Sequence, residues 1–376
     1  MQNQEEKFSL KDHLFNHVKI EKIAAEIKQV YTDFEKDKFT HTVTEKFPEL
    51  ELKERIYHIT DCLKKHLPNE YQSAVEVLMK SLPAPCDPNL SDNDFGNFIY
   101  APYNHFVAVY GCNKEYLTFS LNALEELTTR FSAENAIRYF INAFPEETMR
   151  KMNQWAKHPH YHVRRLASEG SRPKLPWCQK ISIPVEEPLN ILEQLYSDST
   201  RYVTRSVANH LNDISKAQPD LVIKTLKKWT KEQKQKEMDF IIKHSLRTLI
   251  KNGDTAALEL IGIKENPPIG ISSLKISERV KMDTHLLFEF EIKAKEDTTL
   301  LIDYIIHFQN KKGEMNSRKV FKLKQVPLEK NETIKISKKH LMKQFMTTRT
   351  LYSGKHQLEI QVNGEVRIRT TFALLN

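Results

Sequence analysis

Residues 158–177 read HPHYHVRRLASEGSRPKLPW, and their reading decides the fold. Apolar Val163, Leu166 and Ala167 fall at i, i+3 and i+4, the spacing of one helix face. The helix has to end near Gly170, because Pro173 and Pro176 cannot continue it. Glu169 then sits in the last turn, where a carboxylate faces the negative end of the helix dipole at a cost of up to about 1 kcal/mol. Arg165, one turn earlier, is placed to offset that cost. A helix-end ion pair is the plain reading of Glu169; a carboxylate held among arginines for chemistry is the other.

The stretch recurs. Val163-Arg164-Arg165 aligns with Val203-Thr204-Arg205, and Glu169 falls opposite Asn209, a period of 40. Arg247 follows Arg205 by 42. Each unit reads as a helix pair: Pro145–Lys157 with His160–Gly170, Pro188–Tyr196 with Thr200–Lys216, and Pro219–Lys231 with Lys236–Lys251. Two helices per repeat of about 40 residues mark a HEAT-like solenoid, whose second helices line one concave surface. Arg165, Arg205 and Arg247 then recur along that surface as a track for phosphates, or as caps on the carbonyls of the preceding repeat.

Upstream, Ile20, Ile23, Ala24, Ile27 and Val30 mark one amphipathic helix and Leu52, Ile56, Ile59 and Leu63 another, both read as scaffold. Residues 91–111 are aromatic-rich and poorly periodic. Ser132 has the form of a helix N-cap, which makes Glu134 an ordinary first-turn acid. Downstream, Pro267-Pro268 marks a linker, and runs such as Leu286–Ile292 and Leu300–Ile306 change to a period near two. Asn363-Gly364 is the preferred hairpin turn. About seven short strands in this region imply an immunoglobulin-like β-sandwich, without the Cys-Trp-Cys pin of antibody domains. The fold expected is mainly α: a HEAT-like helical-repeat solenoid over 1–265, followed by a β-sandwich over 266–376.

Charge is unevenly spread. Residues 1–150 carry a net −7, residues 151–265 a net +7, and residues 266–376 a net +8. The basic two-thirds imply a polyanionic partner, of which nucleic acid is the commonest. The four cysteines show no paired spacing, so neither a disulfide framework nor a zinc knuckle is expected. The opening residues lack a signal pattern and no apolar run reaches membrane-spanning length, which points to the cytoplasm, near the nucleoid. Nothing demands more than a monomer.

A carboxylate surrounded by arginines stays ionised. Beside a deoxyribose it can stabilise an oxocarbenium-like sugar or orient water. A tryptophan wall adds stacking or cation–π contact to a cationic base. Glu134, Glu169, Asp213, Arg165 and Trp177 are the candidates for that chemistry. His158, His160 and His162 alternate, but no acidic partner stands at a recognised metal-ligand spacing, so they read as a polar helix start. Cys178 reads as a small buried residue rather than a nucleophile. Trp155 and Trp229 read as core. No Gly-rich phosphate loop, GxSxG or HExxH motif occurs, and neither cofactor nor metal is expected.

The chain resembles the AlkC branch of the AlkC/AlkD superfamily of HEAT-like DNA glycosylases. The matching motifs are RFSAE (130–134), HVRRLASEGSRPKLPW (162–177), YVTRSVANHLND (202–213), and IIHF (305–308) with KVFKL (319–323). Asn135 and Tyr139 stand where the family pattern has an aromatic and a proline. The resemblance implies a monofunctional glycosylase that excises cationic alkylated bases, 3-methyladenine and 3-methylcytosine, from double-stranded DNA without flipping the base. It makes Glu169 the principal catalytic carboxylate, Glu134 a second acid, Trp177 a cleft wall and Arg165 an orienting or phosphate-contacting arginine. Asp213 is a further acid added from this sequence. DNA contacts are expected from Arg164, Arg172, Lys174, Arg201, Arg205, Asn209 and Arg247, and in the sandwich from Lys311, Lys312, Arg318 and Lys319. The competing reading is a non-catalytic HEAT scaffold that binds DNA or acidic proteins.

Overall fold

A computed structural model describes residues 9–90, 96–232, 236–346 and 349–376. The opening residues read for a signal pattern, and the start of the aperiodic stretch at residues 91–95, lie outside these. Helices form where apolar spacing predicts them. His17–Val30 buries Ile20, Ile23, Ala24 and Ile27, and Asn16 caps it by accepting from the Lys19 N–H at 3.1 Å. The aperiodic stretch is helical too: Ala101–Gly111 is buried on nearly every side, from Ala101 to Ala108 and at Gly111. A helix enclosed all round has no polar face, so its period vanishes from the sequence. Ser132 does not cap a helix, because the next helix begins at Ile137.

Helix pairs follow, Pro145–Trp155 with Tyr161–Gly170 and Leu189–Leu195 with Arg201–Ile214, and then the helices Pro219–Glu232 and Lys236–Ser245. The two second helices Tyr161–Gly170 and Arg201–Ile214 lie side by side. Trp155 and Trp229 are core residues. The helix expected to continue to Lys251 is instead interrupted at Leu246, whose backbone turns to φ −90 and ψ 1. Arg247 therefore opens a separate helix, Arg247–Asn252, and does not share the mid-helix position of Arg165 and Arg205.

The chain forms two compact units, Met1–Ile214 with Gln235–His244 and Ser215–Lys234 with Ser245–Asn376. In the second, three strands order as β1-β3-β6 and five as β2-β10-β9-β4-β5. The strands are β1 Ile269–Ile276, β2 Arg279–Lys281, β3 His285–Ala294, β4 Thr298–Gln309, β5 Met315–Leu328, β6 Thr333–Leu341, β7 Phe345–Met346, β8 Arg349–Thr350, β9 Gly354–Val362 and β10 Glu365–Leu375. Alternate residues such as Phe288, Phe290, Ile302, Tyr304 and Ile360 fill one core. The fold is thus helical and HEAT-like, with an immunoglobulin-like sandwich from residue 269 on.

The division differs from a cut at 265/266. Leu258 and Ile263 pack on Leu301 of β4 in a common apolar cluster. Asn363 Nδ2 donates to the Lys264 carbonyl at 2.7 Å. Gly253 and Gly364, at φ +79 and +84, approach so closely that a Cβ on Gly253 would lie 2.5 Å from the Gly364 carbonyl oxygen. The last helices and the hairpin tip are one packed body. No described helix is long and apolar enough to cross a membrane.

Candidate active site

The first unit contains a cavity of about 390 Å³. Leu52, Lys53, Ile56 and Tyr57 of the helix Leu52–His66 form one wall, and Pro176, Trp177 and Cys178 line it as well. Ser132, Glu134, Asn135 and Ala136 line it, with Arg165 and Tyr202 from the two second helices. A helix read as scaffold therefore also builds the cleft. Nothing in its apolar spacing distinguishes Leu52 and Ile56, which face the cleft, from Ile59 and Leu63, which are core.

Three acids and two arginines alternate through this region. Arg165 Nη1 donates to Glu134 Oε2 at 2.7 Å, and its Nη2 stands 3.6 Å from Glu169 Oε1. Arg172 Nη1 donates to the same Glu169 oxygen at 2.5 Å, and its Nε and Nη2 reach Asp213 Oδ2 at 3.0 and 2.9 Å. Ser206, one repeat on, donates to Glu169 Oε2 at 2.6 Å. The order is Glu134, Arg165, Glu169, Arg172, Asp213, with a formal charge of −1. Arg165 lies one helical turn before Glu169 and Arg172 just past the helix end at Gly170, so both guanidinium groups reach one carboxylate.

The ladder is graded in depth. Glu134 is at the cleft, its side chain 28% exposed. Glu169 is only 4% exposed and Asp213 is buried as well, and neither lines the cavity. Burial opposes ionisation of Glu169, but the charges of Arg165 and Arg172 outweigh it and hold its carboxyl below the ordinary range. Burial likewise opposes the charge on Arg165, and Glu169 and Glu134 more than restore it. The plain reading of Glu169 as a helix-end pair with Arg165 is too small: its nearest partner is Arg172, and the pair is one rung of a longer array.

Trp177 is held unusually. It is 71% exposed, at φ +66, a left-handed backbone that costs a non-glycine residue about 1–2 kcal/mol. The Lys53 ammonium donates to its carbonyl from the opposite wall. Arg138, fully buried, ties down the loop that carries it, donating to the carbonyls of Gly170 at 3.0 Å, Arg172 at 2.8 Å and Gln179 at 2.6 Å. Sequence reading missed Arg138, Lys53 and Tyr57. An arginine one turn beyond Glu134 was the available signal for the first.

Several residues expected to meet DNA are engaged internally. Arg164 grips Asp198 at 2.5 and 3.1 Å and caps the carbonyls of His158 and Pro159 at 2.9 and 2.8 Å. Arg201 grips Glu237 at 2.8 and 2.7 Å. Arg172 and Arg165 belong to the ladder. Each of these four guanidinium groups meets a carboxylate of a neighbouring repeat. Asn209 Oδ1 faces His244 Nε2 at 2.9 Å. Lys174, Lys311, Lys312, Arg318 and Lys319 are exposed, Lys311 and Lys312 on the turn between β4 and β5. His160 is the N-cap of its helix, its Nδ1 accepting from the His162 N–H at 3.2 Å. Among the described residues no cluster of three His, Cys, Asp or Glu side chains could hold a metal ion. Burial, then the Glu134 charge, push the Cys178 thiol up to about 11, which leaves it a poor nucleophile.

Comparison with known proteins places this geometry. Residues 121–249 match the DNA alkylation repair enzyme family, and residues 270–376 match the C-terminal Ig-like domain of the uncharacterised protein YhaZ. YhaZ of Bacillus subtilis is 35% identical over 359 residues, covering 94% of this chain and 96% of its own. The chain belongs to the DNA alkylation repair enzyme family. The Pseudomonas fluorescens alkylpurine DNA glycosylase AlkC, solved bound to DNA containing an abasic site analogue, is 32% identical. That likeness covers 98% of this chain and 100% of AlkC, with a TM-score of 0.88.

In this family member the ladder rests on a buried neutral histidine. His210 is fully buried, with Nδ1 3.0 Å from the Ser168 carbonyl. Burial, then the Arg172 charge, push it down from 6.5 to about 4. As pH falls below 6.5 the unfolded chain takes up this proton and the folded chain does not until about 4. Stability is therefore lost across that window, by up to about 3 kcal/mol from this group. Denaturant midpoints at pH 7 and pH 4.5 measure it: His210→Gln should lose less between the two than the unchanged protein, and an equal loss would mean that His210 does not contribute.

Proposed function

We propose that this protein is a DNA glycosylase that hydrolyses the N-glycosidic bond of cationic alkylated bases, 3-methyladenine and 3-methylcytosine, in double-stranded DNA. The observation that carries the reading is the alternating ladder, with Glu134 at the floor of an aromatic-walled cleft, in a chain that matches AlkC end to end. A cationic base leaves with the bonding electron pair and becomes neutral, so no general acid is required. The positive charge passes to C1′ of the sugar, where the carboxylate of Glu134 offsets it. Water then bonds to C1′ and gives its proton to that carboxylate. Glu169 supplies the buried charge that keeps Arg165 from neutralising Glu134 alone. Trp177, exposed beside the cavity, offers its face to the lesion as an open wall, which suits contact without enclosing a flipped base. The exposed cations of the sandwich, Lys311, Lys312, Arg318 and Lys319, are suited to phosphates.

The test is to incubate the purified protein with methylated duplex DNA and identify free bases by chromatography and mass. Release of 3-methyladenine and 3-methylcytosine is the expected result. Tight binding without release would make the chain a DNA-binding scaffold.

Trp177 gives a second check. Trp177→Gly relieves the left-handed strain but frees the unfolded chain, so stability should stay within about 1 kcal/mol of the unchanged protein. Single-turnover base release should nevertheless fall at least about tenfold, the order of one lost aromatic contact. A variant that melts early and loses activity in proportion would make Trp177 structural.

A further inference from the structure

We infer that Ser132 is a positioning residue that fixes the orientation of the Glu134 carboxylate toward the cleft. The inference rests on the glycosylase reading and adds a residue to it. Ser132 Oγ donates to Glu134 Oε2 at 2.8 Å. Arg165 Nη1 donates to that same oxygen at 2.7 Å and to Ser132 Oγ at 3.0 Å, closing a three-membered ring of contacts. Among the described residues no donor reaches Glu134 Oε1, and Glu134 lines the cavity. Two pins on one oxygen leave the other to face substrate.

The hydroxyl owes its own position to the backbone rather than to anything bound in the cleft. Asn104 Nδ2, buried, donates to the carbonyls of Phe131 and Ser132 at 3.0 and 3.3 Å. The Ala133 N–H donates to Thr128 Oγ1 at 3.2 Å. On the other side Gly96 lies so close that any Cβ there would come 2.1 Å from the Arg130 carbonyl oxygen. With the segment fixed on three sides, Ser132 Oγ is a rigid reference point. Arg165 is held by Glu169 and by the Tyr202 ring, 4.4 Å away, so it supplies one fixed donor and Ser132 the second that sets the plane of the carboxylate. With Arg165 as the sole pin, the Glu134 carboxylate pivots about a single hydrogen bond and loses its fixed orientation.

Ser132→Ala and Ser132→Thr test this through single-turnover base release from methylated duplex at saturating protein, alongside affinity for undamaged duplex. Ser132→Ala should slow release about tenfold, the order of one hydrogen bond to a charged group, with affinity unchanged within about twofold. Ser132→Thr keeps the hydroxyl and should remain within about threefold of the unchanged protein. Release at full rate from Ser132→Ala, or a threonine variant as slow as the alanine one, overturns the inference. If the unchanged protein releases no base, it is the glycosylase reading that fails. The geometry is then decided by a crystal structure of Ser132→Ala: a Glu134 carboxylate turned out of its present orientation supports the inference, and an unmoved one overturns it.

Discussion

Replacing Glu169 with glutamine is expected to slow base release by two to three orders of magnitude while leaving affinity for undamaged duplex within about threefold. Glutamine matches glutamate in shape, so the hydroxyl of Ser206 still finds an acceptor. What disappears is a buried charge between two guanidinium groups, and with it the formal −1 of the ladder. Arg165 then bears on Glu134 alone and draws its potential away from the cleft. An oriented charge in a water-poor site is worth about 3–4 kcal/mol to a charged transition state, which sets the expected factor. Folding should survive, because Arg165 keeps Glu134 and Arg172 keeps Asp213. The loss should be about 1–3 kcal/mol, less than the 3–5 kcal/mol of a pair broken outright. Single-turnover rates, duplex binding and a thermal melt on the same preparation separate these effects. Release at the unchanged rate would return Glu169 to a helix-end ion pair with no part in chemistry.

A chain ending at residue 265 should keep the Tyr161–Gly170 helix protected from hydrogen exchange but lose protection in Arg247–Asn252 and Thr255–Leu260 by more than about a thousandfold. Those helices have six residues each, too short to persist in water alone. Their stability comes from Leu258 and Ile263 packed on Leu301, and from the closely apposed Gly253 and Gly364. Stripping the cover from a fully buried leucine costs about 2–5 kcal/mol by analogy with cavity-forming substitutions, more than such short helices can absorb. The truncated chain would bind DNA weakly for two reasons at once, lost cations and a frayed end. Full protection of both helices would restore 265/266 as a true domain boundary.

The sequence by itself determined the architecture and most of the site's membership. The period of 40 that sets Val163-Arg164-Arg165 against Val203-Thr204-Arg205 fixed the helix pairs. Alternation and Asn363-Gly364 fixed the sandwich. These signals are local: helix faces, strand alternation and turn chemistry are written within a few residues of where they act. Glu134, Glu169, Arg165, Asp213 and Trp177 were all legible, and all but Trp177 fall on one ladder.

Only the tertiary structure decided how they are arranged. Arg172 bridges Glu169 to Asp213 across 41 residues of sequence, and Arg165 bridges Glu169 to Glu134 across 31. The repeat period brings successive helices together but does not say which of their charged side chains meet. Depth was equally hidden, since nothing in the sequence places Glu134 at the cleft and Glu169 beneath it. Arg164 and Arg201, read as DNA contacts, meet the carboxylates of Asp198 and Glu237 within the protein. A guanidinium group has the same appearance in sequence whether its anion is a phosphate in solution or an aspartate one repeat away. The helix Ala101–Gly111 was invisible for a related reason, because period reports a boundary between water and core, and that helix is buried at all but Val109 and Tyr110.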